Sequence, residues 1–275
     1  MIWIGIMQGR LVPPMASALQ CFPRGRWSEE FARARAADID GIEWIFDTFG
    51  GGDNPLGSRE GLERLRALAR AHRVEVRSLC ADYFMEHSFT GVESPERDKR
   101  LERLHWLLER CAAAGIGRVV LPFVDRSAIR DDADLKCVRE LVSAAAPQAE
   151  ANAVELHLET SLPPKEFAEL LAGLDERWVK VNYDIGNSAA LGHDPRAEFA
   201  AYGARVGSVH VKDRVRGGTT VPLGTGAADF GVVFRELQRV GYDGDYILQV
   251  ARGDPGGEVQ WARRNRGFVV EHLQR

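Results

Sequence analysis

Short runs of alternating apolar and polar residues recur along the chain, and most are followed by a longer amphipathic segment. A period of two residues is typical of a half-buried strand, and a period of 3.6 residues is typical of a helix. The strand candidates are residues 2–6, 41–46, 74–80, 117–123, 153–159, 178–184, 207–213 and 245–250. The helix candidates are residues 28–38, 58–72, 95–114, 132–151, 164–175, 195–205, 229–240 and 256–273.

Strands that alternate with helices predict βαβ units and a parallel sheet. Eight such units in 275 residues predict an α/β fold of the (β/α)8 TIM-barrel type, which needs roughly 250 residues. No Pro/Gly/Ser-rich linker interrupts the chain, so we expect one domain over residues 1–275. A doubly wound open sheet is the alternative, and it is less favoured because no GxGxxG motif or P-loop opens a helix.

The later strands carry their polar residues on one face. In "AVELHLE", "WVKVNYD" and "SVHVKD" the apolar residues alternate with a polar set: Glu155, His157 and Glu159; Lys180, Asn182 and Asp184; Ser208, His210 and Lys212. Successive side chains of a strand point to opposite faces. In a barrel, the apolar set would face the helices and the polar set would line the interior.

Three consecutive strands end in Glu159, Asp184 and His210, and the register places Gln249 at the end of the eighth strand. Barrel active sites lie at this carboxyl end of the strands. A single carboxylate there is more often a helix cap or a surface residue, and a single histidine is usually a hydrogen-bonded core residue. Unpaired buried carboxylates are costly, so four such positions together favour a bound divalent metal.

The composition limits the partners that we expect. The net charge is −4, 45% of the residues are hydrophobic and 28% are charged, which indicates a folded chain without a basic surface for nucleic acid or acidic membranes. No apolar run approaches the roughly 20 residues of a membrane span, and the N-terminus does not resemble a signal peptide. Four scattered cysteines predict reduced thiols in the cytoplasm: Cys21, Cys80, Cys111 and Cys137.

The chain resembles the xylose-isomerase-like TIM-barrel superfamily, and within it the branch of hexulose-6-phosphate isomerase, ribulose-5-phosphate 3-epimerase and tagatose 3-epimerase. The resemblance is carried by "IGIMQGRL", "GIEWIFD", "LHLET", "YDIGN", "VHVKD", "VPLGTGAADF" and "GYDGDYILQVAR". It implies a metal site of Glu159, Asp184, His210 and Gln249, with Gln249 in the place of the usual second glutamate. Mn²⁺ is the first expectation for the metal, with Co²⁺, Mg²⁺ or Zn²⁺ as alternatives.

The same resemblance implies chemistry through an enediolate, in which the metal binds a sugar carbonyl and a neighbouring hydroxyl. Glu159 would be the base, whereas the amide of Gln249 can coordinate a metal but cannot accept a proton. The change lowers the ligand charge from −3 to −2. Asn187 stands where the epimerase branch often has a histidine, and Arg216 fits the branch's substrate-binding arginine.

Several polar residues at the ends of the strands are candidates for substrate binding: Gln8, Arg10, Glu43, Asp82, Lys212, Arg216 and Arg252. The acidic and amide members can bind hydroxyls, although salt bridges between loops would explain them equally well. A basic group joins the glycine-containing loop "VPLGTG", whose backbone can cradle an anion; it consists of Lys212, Arg214, Arg216 and Arg252. A sugar phosphate or acidic sugar is therefore a candidate substrate, while a simple turn would also account for the glycines.

The leading hypothesis is a metal-dependent sugar or sugar-phosphate isomerase or epimerase that assembles as a dimer or tetramer. A dehydratase of a cyclic polyol ketone is the first alternative, because one-base chemistry also permits loss of water. A non-catalytic sugar-binding relative is the second alternative, and Gln249 is its main support. An apurinic-site endonuclease is disfavoured because it needs a histidine-rich zinc site and a basic face.

Overall fold

The computed structural model describes residues 2–15 and 20–274 of the chain, so residues 1, 16–19 and 275 of the predicted domain lie outside it. Within the described ranges, eight parallel strands close into a barrel. These strands are β1 (Ile4–Met7), β2 (Gly41–Ile45), β3 (Ser78–Cys80), β4 (Arg118–Phe123), β5 (Glu155–Thr160), β6 (Val179–Asp184), β7 (Val206–Val211) and β10 (Asp245–Leu248). A small antiparallel pair, β8 (Asp213–Arg214) and β9 (Thr220–Val221), follows β7. The predicted barrel is confirmed, and the open-sheet alternative is wrong.

The helices surround the barrel in the order that the sequence pattern predicts. They are α1 (Glu29–Ala36), α2 (Arg59–His72), α3 (Tyr83–Glu86), α4 (Ser94–Ala114), α5 (Asp132–Asn152), α6 (Pro164–Leu171), α7 (Ile185–Leu191), α8 (Pro195–Tyr202), α9 (Phe230–Arg239) and α10 (Glu258–Leu273). The short helices α3 and α7 were not predicted. Both follow directly after a strand, on the side of the barrel where the candidate site lies.

The third and eighth strands of the barrel differ most in length from their predictions. The third was expected over residues 74–80, but only Ser78–Cys80 is regular, and Glu75 makes an isolated bridge with Gly41. The eighth ends at Leu248, so Gln249 lies one residue beyond β10. The Gln249 backbone N–H still donates to the carbonyl of Val211 at 3.1 Å, which holds its side chain at the mouth of the barrel.

The apolar faces of the strands pack outward against the helices, as alternation predicts. Leu156, Val181 and Val209 are fully buried. Trp44 is also fully buried, and its ring packs against aromatic residues of α1 and the preceding loop: Phe22, Trp27 and Phe31. Burial of these apolar surfaces is the main force that holds the helical layer on the barrel.

The N-terminal end of the barrel is closed by Trp3. A Cβ on Gly41 would lie 2.2 Å from the Trp3 ring and 2.5 Å from the carbonyl oxygen of Glu75, so this position requires glycine. Asp245 forms ion pairs with Arg77 and Arg118 at the same end. Trp3 and these ion pairs cover part of this end, whereas the cavity with the candidate site opens at the carboxyl ends of the strands.

The four cysteines are free thiols, as expected for a chain without disulfides. Among the described residues, no helix is long and apolar enough to cross a membrane.

The loop after β1 is held by a buried carboxyl group. Glu30 on α1 is fully buried, and its Oε1 accepts hydrogen bonds from the N–H groups of Gly9 at 2.8 Å and Leu11 at 3.2 Å. These two residues flank Arg10, so Glu30 fixes the backbone that carries this arginine. Burial raises the pKa of Glu30 from 4.5 to about 8, although both backbone hydrogen bonds oppose the rise.

We expect Glu30→Gln to flatten the pH dependence of stability. Because the folded-state pKa is raised, wild-type stability is greatest below the unfolded-state pKa and falls as the pH rises through about 8. Glutamine keeps a carbonyl acceptor but has no charge to bury. In urea unfolding, the free energy of unfolding of the variant minus that of wild type should increase by on the order of 3 kcal/mol from pH 5 to pH 8.

The control is Glu60→Gln, which changes an exposed glutamate of α2. Its stability curve should run parallel to that of wild type. Parallel curves for Glu30→Gln as well would contradict the assignment of a raised pKa to Glu30.

Candidate active site

Glu159, Asp184 and His210 converge at the carboxyl ends of β5, β6 and β7. One potential ligand atom from each residue lies within 4.8 Å of the others, and all three side chains are buried. The distance between Glu159 Oε2 and His210 Nδ1 is 3.3 Å. The strand register brings the three together, because Asp184 pairs directly with His210 and Glu159 lies on the neighbouring strand.

The carboxylate of Glu159 is held by two asparagine amides. Asn182 Nδ2 donates to Glu159 Oε2 at 2.9 Å, and Asn187 Nδ2 donates to Glu159 Oε1 at 2.7 Å. Burial acts to raise the pKa of Glu159, but the hydrogen bond with His210 and the charges of His210 and Lys212 outweigh it and lower the pKa. Glu159 is thus an oriented carboxylate that is ionised at neutral pH.

His210 lies between two carboxylates in a fully buried position. Its Nε2 is 2.6 Å from Glu43 Oε1, while its Nδ1 faces Glu159. Burial lowers the pKa of His210, but the charge of Glu43 and the hydrogen bonds with Glu159 and Glu43 raise it to about 10. Glu43 therefore orients the imidazole and leaves Nδ1 directed at the candidate site.

Asp184 caps a helix and is also a candidate metal ligand. Its Oδ1 accepts a hydrogen bond from the Asn187 N–H at 2.8 Å and so caps α7, which is the common role of a strand-end carboxylate. Its Oδ2 is 3.3 Å from Lys212 Nζ. Burial raises the pKa of Asp184, with the charge of Lys212 opposing the rise and that of Glu159 adding to it.

Gln249 is linked to this group through Lys212. Lys212 Nζ donates to Gln249 Oε1 at 3.2 Å as well as to Asp184, so one ammonium group spans two of the four predicted ligands. The Gln249 amide also donates to Gln20 Oε1 at 3.1 Å. Gln20 in turn donates to Asp82 Oδ2 at 2.8 Å, and this chain of contacts runs along one wall of the mouth.

A cavity of about 550 Å³ opens above these residues, which is large enough for a small substrate. Both signs of charge line it. The basic side chains among the described residues are Arg10, Arg126, Lys212 and Arg214, and the acidic ones are Asp47, Asp82, Glu86, Asp125 and Glu159. This lining offers donors and acceptors to a hydroxyl-rich molecule, beside apolar side chains such as Phe49, Met85 and Val124.

The predicted substrate-binding residues divide into three groups. Arg10, Asp82 and Lys212 line the cavity, as does Gln249. Gln8 and Glu43 are fully buried beneath it, where Gln8 accepts a hydrogen bond from the Ile45 N–H and Glu43 contacts His210.

Arg216 and Arg252 do not line the cavity. Arg216 is exposed, and its guanidinium lies against Gly192 at the end of α7. Arg252 donates to the Val12 carbonyl at 3.1 Å. The arginine that the structure brings to the cavity from this part of the chain is Arg214, which lies in β8 and donates to Asn187.

The backbone of the "VPLGTG" loop does not offer an anion cradle. The N–H groups of Gly224 and Gly226 donate to Asp213 Oδ2 at 2.9 and 2.8 Å, and the Ala228 N–H donates to Asp213 Oδ1. The glycines accordingly wrap around a buried carboxylate of the protein. Any phosphate group of a substrate would have to be bound by arginine and lysine side chains.

Two residues of the site, Asn187 and Gln20, were not predicted to belong to it. Asn187 connects Glu159 with Arg214, whose Nη1 donates to Asn187 Oδ1 at 2.8 Å. The sequence contained a signal for Asn187, because this residue belongs to the motif "YDIGN" at the end of a strand. Gln20 gave no signal, because it belongs to a loop that only the fold brings beside Asp82 and Gln249.

The residues present fit a divalent cation. A cation between His210 Nδ1 and the carboxylate of Glu159 would take the place of the Nδ1 proton that joins them, while His210 keeps its Nε2 hydrogen bond to Glu43. Two carboxylates and one imidazole form a donor set that Mn²⁺, Mg²⁺ and Zn²⁺ all accept. Lys212 would have to yield its contacts to Gln249 and Asp184 if Gln249 became a fourth ligand.

Comparison with known proteins agrees with the fold. The family model described as xylose isomerase-like TIM barrel matches residues 31–270. The chain is similar to the L-ribulose-5-phosphate 3-epimerase UlaE of Shigella flexneri serotype 5b, with 26% identity over 284 residues, which covers 94% of this chain and 97% of the relative. The Escherichia coli protein of the same name is 36% identical over 94 residues, which is only 33% of each chain.

A solved structure supports the fold independently. The crystal structure of the IOLI protein with a bound zinc atom superposes with a TM-score of 0.78 at 16% identity, and the match covers 99% of this chain and 98% of that chain.

We expect Asp184→Asn to weaken binding of Mn²⁺, used as the probe ion, by at least about 100-fold. The substitution removes one of the two charged ligands, but asparagine can still cap α7, so the fold should be retained. Electron paramagnetic resonance of free Mn²⁺ measures the affinity, and circular dichroism checks the fold. Glu86→Gln, which neutralises an exposed carboxylate of the same cavity, should bind Mn²⁺ like wild type; equal loss in both variants would contradict a site at Asp184.

Proposed function

Because the chain belongs to the xylose isomerase-like TIM barrel family, we propose that it is a metal-dependent epimerase or isomerase of a ketose sugar or its phosphate. The observation that carries this proposal is the convergence of Glu159, Asp184 and His210 below a polar cavity. The full-length similarity to an L-ribulose-5-phosphate 3-epimerase makes a ketopentose 5-phosphate the first candidate substrate.

A divalent cation bound at the three residues would polarise a carbonyl oxygen and a neighbouring hydroxyl of the sugar, and so acidify the C–H bond between them. We assign the removal of that proton to Glu159. Its carboxylate is ionised, and the two asparagine amides fix the direction of its lone pairs. A general base needs this combination of protonation state and position.

The groups around Glu159 keep its carboxylate in position during the proton transfer. Asn182 and Asn187 donate N–H bonds to both of its oxygens, and Asn187 is itself fixed by Arg214. His210 is held by Glu43 in a buried hydrogen bond, which keeps the imidazole from rotating away. Each of these residues acts on the position of a reacting group and does not itself exchange a proton with the sugar.

Substrate binding is assigned to the basic side chains that line the cavity. Lys212 lies beside Asp184 and Gln249, where it can donate to a sugar oxygen. Arg10 donates Nε–H to the Val250 carbonyl at 2.9 Å, and burial together with the charge of Arg252 lowers its pKa to about 10, so it remains a cation at neutral pH. Arg214 and Arg126 are the groups that could receive a phosphate at the rim.

Manganese is the metal that we propose, because carboxylate and amide oxygens together with one nitrogen favour the harder ions. Gln249 would supply the amide oxygen. Its neutral side chain leaves the site with a ligand charge of −2, so the ion should be held less tightly than by a site with a third carboxylate.

We expect the wild-type protein, loaded with Mn²⁺ in D2O, to incorporate solvent deuterium at one carbon of a ketose. Proton NMR would follow a panel of free and phosphorylated ketopentoses and ketohexoses that includes L-ribulose 5-phosphate. Glu159→Gln should reduce the exchange by at least about 1,000-fold, because it removes the base. Glu86→Gln should retain wild-type exchange, and an active Glu159→Gln variant would exclude Glu159 as the base.

We also expect Gln249→Glu to tighten Mn²⁺ binding by about tenfold or more, because a carboxylate adds one negative charge to the ligand set. The matched control is Gln20→Glu, which adds the same charge to a neighbouring residue that is not a proposed ligand. Calorimetric titration of both variants measures the two affinities. A similar gain in both would mean that the effect is only one of overall charge, and that Gln249 is not a ligand.

A further inference from the structure

A second carboxyl group reaches the cavity from another strand. Asp82 follows β3 and lines the cavity together with Glu159 and Gln249, although its strand lies two positions around the barrel from that of Glu159. The residue is partly exposed, and its accessible part belongs to the cavity wall. Its side chain can therefore meet a bound substrate from a different side than Glu159 does.

The hydrogen bonds of Asp82 come from uncharged donors. Gln20 Nε2 donates to Asp82 Oδ2 at 2.8 Å, and Cys80 Sγ donates to Asp82 Oδ1 at 3.1 Å. Burial raises the pKa of Asp82 to about 6, the charges of Asp47 and Glu159 add to the rise, and the two hydrogen bonds oppose it. A carboxyl group in this setting can carry a proton near neutral pH and can also give it up.

Gln249 connects this carboxyl group with the metal site. Its amide donates to Gln20, and Gln20 donates to Asp82, so the residue that replaces a glutamate is two hydrogen bonds away from another carboxylate. The cavity thus lacks an acid–base group at position 249 but contains one on the other side of Gln20.

We propose that Asp82 is the second acid–base group of the reaction and delivers a proton to the carbon from which Glu159 removes one. The proposal rests on the proposed function and adds to it the type of reaction, because proton delivery from a second side inverts the carbon. The protein would then be an epimerase that uses the carboxyl groups of Glu159 and Asp82.

The proposed reaction removes one proton from the carbon and returns one to it. Glu159 accepts the proton of the C–H bond, and the electron pair of that bond moves toward the carbonyl oxygen. Protonated Asp82 then gives its proton to the same carbon, and the electron pair returns to form the new C–H bond. Glu159 ends protonated and Asp82 ionised, and exchange with water restores both groups before the next turnover.

The test separates proton removal from inversion. Wild type, Asp82→Asn and Asp82→Glu are loaded with Mn²⁺ and incubated in D2O with L-ribulose 5-phosphate, or with the ketose of the panel that exchanges fastest. Proton NMR measures two rates for each variant, the deuterium incorporation into recovered substrate and the formation of the epimer. Glu86→Gln is the control for loss of a carboxylate at the cavity.

We expect Asp82→Asn to form the epimer at least about 100-fold more slowly than wild type while its deuterium incorporation into substrate stays within about fivefold. Asp82→Glu should recover part of the epimer formation. An equal loss of both rates in Asp82→Asn, or unchanged epimer formation, would overturn the role of Asp82 and leave the proposed function standing. A wild-type protein that neither exchanges nor converts any ketose of the panel would overturn the proposed function itself, and the role of Asp82 with it.

Discussion

The structure depends on hydrogen bonds that satisfy the polar side chains inside a closed barrel. A continuous series of contacts runs up the interior from Glu155 through His157, Ser208 and Asn182 to Glu159 and His210. All of these groups except Glu155 are buried where water cannot satisfy them, so an unmatched partner would carry the full cost of desolvation. The fold and the site are therefore one network, and the catalytic candidates are its upper end.

The same burial gives neighbouring carboxyl groups different properties. Glu159 lies among amide donors and near two cations, and its pKa is lowered, whereas Asp82 accepts hydrogen bonds only from uncharged groups among the described residues and its pKa is raised to about 6. Pairs of carboxyl groups whose environments separate their pKa values are a common basis for acid–base division of labour. In this cavity the separation follows from the neighbours of each group, since both residues reach the same space.

Lys212 lies between the proposed metal ligands and the cavity proposed to bind substrate. Its ammonium contacts Asp184 and Gln249 across the strand ends, so it neutralises part of the charge that a cation would neutralise. The neutral Gln249 reduces the negative charge around it further. The positive charge of Lys212 and the neutral side chain of Gln249 together reduce the repulsion between the acidic residues of the site. A cation bound to Asp184 would free Lys212 to contact a substrate oxygen.

The sequence by itself determined the barrel and the three converging residues. Period-two alternation assigns each side chain to one face of a strand, and parallel strands end at one mouth, so Glu159, Asp184 and His210 had to meet. The same pattern could not place Arg214 and Gln20 in the cavity or Arg216 and Arg252 outside it, because loop residues follow no period. Nor could it show that Asp213 occupies the amides of Gly224 and Gly226. Those contacts join residues whose distance is set by the closure of the barrel, and only the tertiary structure decided them.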